Sequence, residues 1–100
     1  MRRPKAPSGT AQDLEEAQAI ALTALTFLAE DAARLSRFLT LTGITPAGLR
    51  NGADTREILA AVLDHLTNDE SLLLVFCASK SIAAESIEPA RALLSGSPRE

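Results

Sequence analysis

The sequence has 100 residues, 46% of them hydrophobic and 23% charged, with a formal net charge of −3. That balance excludes an intrinsically disordered chain and leaves room for one hydrophobic core without a second lobe. Arg2, Arg3 and Lys5 contribute +3 near the start, so the remainder carries −6, which disfavours a nucleic-acid surface.

Aromatic residues make up only 3%, with no Trp or Tyr, and Ala and Leu are abundant; these residues lose little on entering a helix. The expected fold class is therefore all-α, a compact bundle of five or six short helices. Residues 1–9, with Pro4, Pro7, Gly9 and the three cations, read as a disordered basic tail. A single helical domain is expected over residues 10–95, and residues 96–100 read as a disordered C-terminus. Thr10 is placed to cap a first helix from about Ala11 to Ala29, with Asp13 in its first turn. Leu14, Ala17, Ile20, Ala21, Ala24, Leu25, Phe27 and Leu28 cover most of its circumference, so it belongs at the centre of a bundle or in an oligomer.

Asp31 caps a second helix carrying Leu35, Phe38 and Leu39, which ends at Gly43, the residue type suited to the left-handed conformation after a helix. Thr45 caps a short third helix with Pro46 at its first position, where the missing N–H costs nothing, and Asn51-Gly52 ends it. Asp54 is expected to cap a fourth helix running through Thr67, with Ile58, Leu59, Val62, Leu63 and Leu66 at three- and four-residue steps. Asp69 caps a fifth, to about Ser79. The last helical pattern, Ala83 to Leu94, contains Pro89, which must kink it or mark a fresh start. The core expected from these patterns is Ile20, Leu25, Leu28, Leu35, Phe38, Val62, Leu63, Leu66, Leu73 and Phe76.

A shift of 38 residues pairs Ile20 with Ile58, Ala24 with Val62, Leu25 with Leu63, Leu28 with Leu66 and Asp31 with Asp69. The pairing continues through Leu35 with Leu73, Phe38 with Phe76, Ile44 with Ile82 and Leu49 with Ile87. Two organisations fit this: two copies of a 38-residue helical unit, or two hairpins aligned by helical periodicity alone.

The segments Glu16-Ala17-Gln18-Ala19-Ile20-Ala21-Leu22, Phe27-Leu28-Ala29-Glu30-Asp31, Arg37-Phe38-Leu39, Leu41-Thr42-Gly43 and Ala60-Ala61-Val62-Leu63-Asp64 carry a resemblance. With the apolar helix after Asp69, they resemble a family of small all-helical bacterial proteins of unknown function, mainly alphaproteobacterial. The resemblance implies a short cytoplasmic helical protein. It brings no activity, cofactor or catalytic residue to carry over.

No catalytic, cofactor-binding or metal-ligating residue is assigned from the sequence, and no cofactor is expected. His65 is the single histidine; its expected role is a residue of a helix C-terminus favoured by the dipole. With Asp69 four residues on it supplies two ligands, too few for a zinc site. The carboxylate pairs Glu15-Glu16, Glu30-Asp31 and Asp69-Glu70 are adjacent in sequence and point to different helix faces. The lone Cys77 cannot form an internal disulfide and reads as a small core hydrophobe.

The stretches Ala17 to Ala29 and Ser71 to Ser79 are too short to span a bilayer, and the start lacks the apolar run of a secretory signal. A cytoplasmic protein without a membrane partner is expected. Two helices, Ala17 to Ala29 and Leu72 to Ala78, are apolar nearly all round, and a small bundle that cannot place both centrally leaves one apolar side over. The expected function is a non-enzymatic protein-interaction or regulatory adaptor module, with an unknown protein partner or a homo-oligomer. The alternatives are a nucleic-acid-associated protein using the basic tail, and a helical phosphotransfer or metal-dependent enzyme centred on His65.

Overall fold

The computed structural model describes residues 14–53 and 55–95, and all regular structure among them is helical. The helices are α1 (Leu14–Ala29), α2 (Ala32–Thr42), α3 (Pro46–Gly52), α4 (Arg56–Thr67), α5 (Glu70–Lys80) and α6 (Ile87–Leu94), the last entered through a 3₁₀ turn at Ala84–Ser86. The expected cap Thr10, the start of the first helix and both terminal segments lie outside the described residues. This is an all-α bundle.

Small side chains decide what sits at the centre. Ala17, Ala21 and Ala24 share one face of α1 and are fully buried, so neighbouring helices approach its backbone closely. α4 and α6 pack there and against each other, and these three helices form the middle of the molecule. α2 and α5 lie at the periphery, burying Phe38 from α2 and Phe76 and Cys77 from α5.

Of the expected core, Ile20, Leu28, Phe38, Val62, Leu63, Leu66 and Phe76 are buried. Leu25, Leu35 and Leu73 are half-buried against that core, because Leu35 and Leu73 lie on the flanks of peripheral helices and Leu25 on the flank of α1. The core also contains Phe27 and Leu59, which the pattern places on apolar helix faces but outside the expected core, and Ile87, Ala90 and Leu94 of α6.

The caps follow local chemistry. The Asp31 carboxylate accepts from the amides of Ala33 at 2.9 Å and Arg34 at 3.3 Å. Thr45 Oγ1 accepts from Gly48 at 2.9 Å and the Asp69 carboxylate from Leu72 at 3.2 Å. α4 departs from expectation. Its cap is Thr55 instead of Asp54, with an extended backbone (φ −78°, ψ 152°) and Oγ1 accepting from the Ile58 amide at 3.3 Å. Thr55 stands three residues before that amide, the reach a capping oxygen requires; Asp54 itself lies outside the described residues. Pro89 marks a fresh start. It occupies the third position of α6, within the first turn, where a backbone N–H has no intrahelical acceptor to lose.

The 38-residue shift has a geometric counterpart. It carries the bounds of α2 onto those of α5, the extended caps onto each other, and Gly43 (φ 78°) onto Ser81 (φ 56°), both left-handed. It also exchanges two ring pairs. Phe27 meets Phe76 with centroids 5.3 Å apart, and His65, the mate of Phe27, meets Phe38, the mate of Phe76, also at 5.3 Å. The third helices break the match: α6 buries Ile87, Ala90 and Leu94, whereas α3 buries nothing.

Candidate functional site

The side chain least explained by packing is His65. It stands in the last turn of α4, is 7% exposed, and its Nε2 is sealed from solvent without a hydrogen-bond partner. The ring meets Phe38 of α2 edge-on at an interplanar angle of 75°. Burial holds the imidazole pKa below its ordinary value; the Arg37 guanidinium adds to this, while Asp69 and Asp64 oppose it. The expected place at a helix C-terminus is the observed one, the last turn of α4, but the ring is an interior group whose burial disfavours the cation that the dipole would attract.

Two cavities flank this ring. One, of about 290 Å³, is lined by Leu41, Thr42, Ala61, Asp64, His65 and Asn68. The other, of about 370 Å³, is lined by Arg37, Leu41, His65, Asn68, Asp69, Glu70 and Ser71. The end of α4 brings Asp64, His65 and the C-cap Asn68 to one corner, Asn68 standing four residues beyond Asp64 and three beyond His65, and Asn68 Nδ2 donates to Asp64 Oδ2 at 3.3 Å. The Thr42 hydroxyl donates to the Phe38 carbonyl at 2.7 Å. Carboxylates outnumber the single guanidinium around the two cavities, so the corner has a negative field suited to a cation or a hydrogen-bond donor.

Among the described residues no group of three or more His, Cys, Asp or Glu side chains could hold a metal ion. Nε2 of His65, sealed in the interior, cannot be the nitrogen that a phosphoacceptor imidazole presents to solvent. Cys77 is buried, and burial, with Glu85 adding to it, pushes its thiol pKa up, the condition of an inert core thiol.

A family model described as "Protein of unknown function (DUF3572)" matches residues 14–97. The chain belongs to the DUF3572 family. No curated protein and no solved structure matches it.

In this DUF3572 chain, of the expected caps and core residues, Asp69 lines the larger cavity and Phe38 packs on the imidazole. The corner itself is made by Arg37, Leu41, Thr42 and Asn68, none of which the sequence pattern singled out. One signal did exist: under the 38-residue shift Thr42 and Asn68 stand opposite Lys80 and Glu30, a difference beside positions that keep step.

A second surface begins at Ser71, on the edge of this corner, and runs along α5. Leu74 is 53% and Val75 48% exposed, and with Ala78, flanked by Ser71 and Ser79, they form the outer face of α5. Of the two helices that are apolar nearly all round, α1 takes the centre and α5 keeps its apolar side in solvent. No helix among the described residues is long and apolar enough to cross a membrane.

Proposed function

We propose that this DUF3572 protein is a non-enzymatic interaction module of the bacterial cytoplasm that docks the apolar face of a partner's amphipathic helix along the outer side of α5. The observation carrying this reading is the exposed Leu74, Val75 and Ala78 surface. It lies on a helix whose inner face already buries Phe76 and Cys77. A leucine and a valine left in water on a regular helix, with a small alanine one turn on from the leucine, offer ridges that a second helix can pack into. The face carries no charge between Glu70 and Lys80, so recognition there is by shape and apolar area, with specificity left to the rim.

The same reading takes the 38-residue correspondence as a duplicated unit. Matching helix bounds, matching left-handed C-caps and the exchanged ring pairs support it. In such a pair the outer face of α2, the mate of the α5 face, carries Ser36, Arg37, Thr40 and Leu41. The apolar docking surface is thus a property of one half only.

The test compares the full-length protein with Leu74→Glu/Val75→Glu. Both side chains are exposed, so the variant keeps its helical circular dichroism and a thermal midpoint within a few degrees of the parent. Affinity capture from the native cytoplasm is expected to recover a stoichiometric protein with the parent and lose it with the variant. Equal recovery of that protein by both would overturn the reading, and a concentration-dependent dimer abolished by the variant would make the partner a second copy.

A further inference from the structure

The two halves end differently at the place where each first helix meets the other half's second helix. Beside the Phe27–Phe76 pair, Lys80 Nζ of α5 reaches Glu30 Oε2 just beyond α1 at 2.8 Å. Beside the Phe38–His65 pair, the shift puts Thr42 where Lys80 stands and Asn68 where Glu30 stands. A hydroxyl and a short amide cannot span the distance that a lysine and a glutamate bridge. What remains is the cavity of about 290 Å³ lined by Leu41, Thr42, Ala61, Asp64, His65 and Asn68.

The vacancy keeps the chemistry of the seat it mirrors. Leu41 and Ala61 provide apolar walls of the kind that accept the methylene stem of a long cationic side chain. The carboxylate reappears one turn earlier on the helix, since Asp64 is the mate of Thr26 as Asn68 is of Glu30. Its Oδ2 accepts from Asn68 Nδ2 at 3.3 Å, which fixes the carboxylate toward that corner, and Oδ1 is a further acceptor on the same group. The guanidinium of Arg37 lines the other cavity, across His65, with Asp69 and Glu70. The smaller cavity therefore has a carboxylate and no cation among its lining residues; Asp64 feels the opposite charge of the Arg91 guanidinium of α6, which is itself hydrogen-bonded to Glu88.

We propose that this cavity is a seat for an unbranched primary alkylammonium group, its ammonium on Asp64 and Asn68 and its stem between Leu41 and Ala61. Lys80 on Glu30 is the intramolecular version of the same contact. An ammonium has three N–H donors and suits a carboxylate beside an amide oxygen. A quaternary ammonium has none. The contact is at the surface and single, so affinity is weak. Two sources carry this group, a lysine side chain of a partner protein and a free aliphatic diamine.

The probe is n-butylammonium chloride titrated into the full-length ¹⁵N-labelled protein near neutral pH, with amide shifts as the readout. The expected result is saturable shifts centred on Ala61, Asp64 and Asn68 and on Leu41 and Thr42. Asp64→Asn weakens them roughly three- to tenfold. Thr42→Lys/Asn68→Glu, which builds the Lys80–Glu30 pair into the second half, abolishes them while helicity is retained. Should the double variant fail to fold, Asp64→Asn decides, because its side chain is exposed. No saturable shift, equal shifts from n-butanol or tetramethylammonium, or unchanged binding in Asp64→Asn would overturn the proposal. Parallel titrations with Nα-acetyl-lysine methylamide and 1,4-diaminobutane, either of which must reproduce the same shifts, assign the source by which of the two binds more tightly.

Discussion

His65 shows what a single interior nitrogen does to a small fold. A domain of this size is held by about 5–15 kcal/mol in total, and a buried polar atom without a partner costs about 1–3 kcal/mol of that. The mate of His65 is Phe27, which fills the corresponding seat against Phe76 with its face covered by the Arg34 guanidinium at 4.4 Å. A phenyl ring therefore has a precedent at this position, and His65→Phe should stabilise the protein by about 1 kcal/mol, read as a rise in thermal midpoint. The pH dependence follows from the lowered pKa. The unfolded chain takes up a proton near the ordinary histidine pKa of about 6.5, and the folded protein only at lower pH because burial penalises the cation. Between those values the unfolded state binds more protons, so stability falls as the pH drops through that window and is complete above it. Denaturant midpoints measured on both sides of it should show this loss in the parent and lack the His65 contribution in His65→Phe. A parent as stable relative to His65→Phe below the window as above it would contradict the burial of the ring.

At the scale of the elements, what could be read from the sequence was whatever depends on neighbours along the chain. Asp31, Thr45 and Asp69 cap because a short acceptor reaches an amide two or three residues on, and Gly43 ends α2 because it tolerates a positive φ. α4 starts one residue later than a cap at Asp54 implies, because Thr55 is a competent cap whose extended backbone brings its oxygen to the Ile58 amide. The entry to α6 was hidden by its 3₁₀ turn, and the His65 corner by the packing of α2, neither of which leaves a periodic signature. Ser81 is the informative case. It repeats the left-handed cap of Gly43 with φ 56° in a residue that has a Cβ, at a cost of about 1 kcal/mol. Ser81→Gly should return roughly that amount. Gly43→Ala should lose about the same, and purely through backbone conformation, since a Cβ built there meets nothing within 4 Å. Chemical denaturation of the two variants measures both. A Gly43→Ala protein as stable as the parent would mean that this cap is not left-handed in solution.

At the scale of the whole molecule, the two halves cannot be alike throughout, and α6 supplies the reason. It packs on α1 and on α4 to a nearly equal extent, and α1 and α4 are the helices that the 38-residue shift exchanges. One helix can fill the place against both members of that pair. α6 fills it with Ile87, Ala90 and Leu94. α3, its counterpart, is left outside with only partial cover from Leu49. Leu49 and Ile87 are mates in sequence and would cost the same to truncate if the halves were equivalent in packing. The geometry predicts otherwise: Ile87, 1% exposed, should cost about 2–5 kcal/mol as Ile87→Ala. Leu49→Ala should cost roughly 1 kcal/mol or less. Equilibrium unfolding of the two variants under one set of conditions tests this. Equal losses would place α3 in the core alongside α6, whereas the expected difference identifies α6 as the helix that closes the bundle.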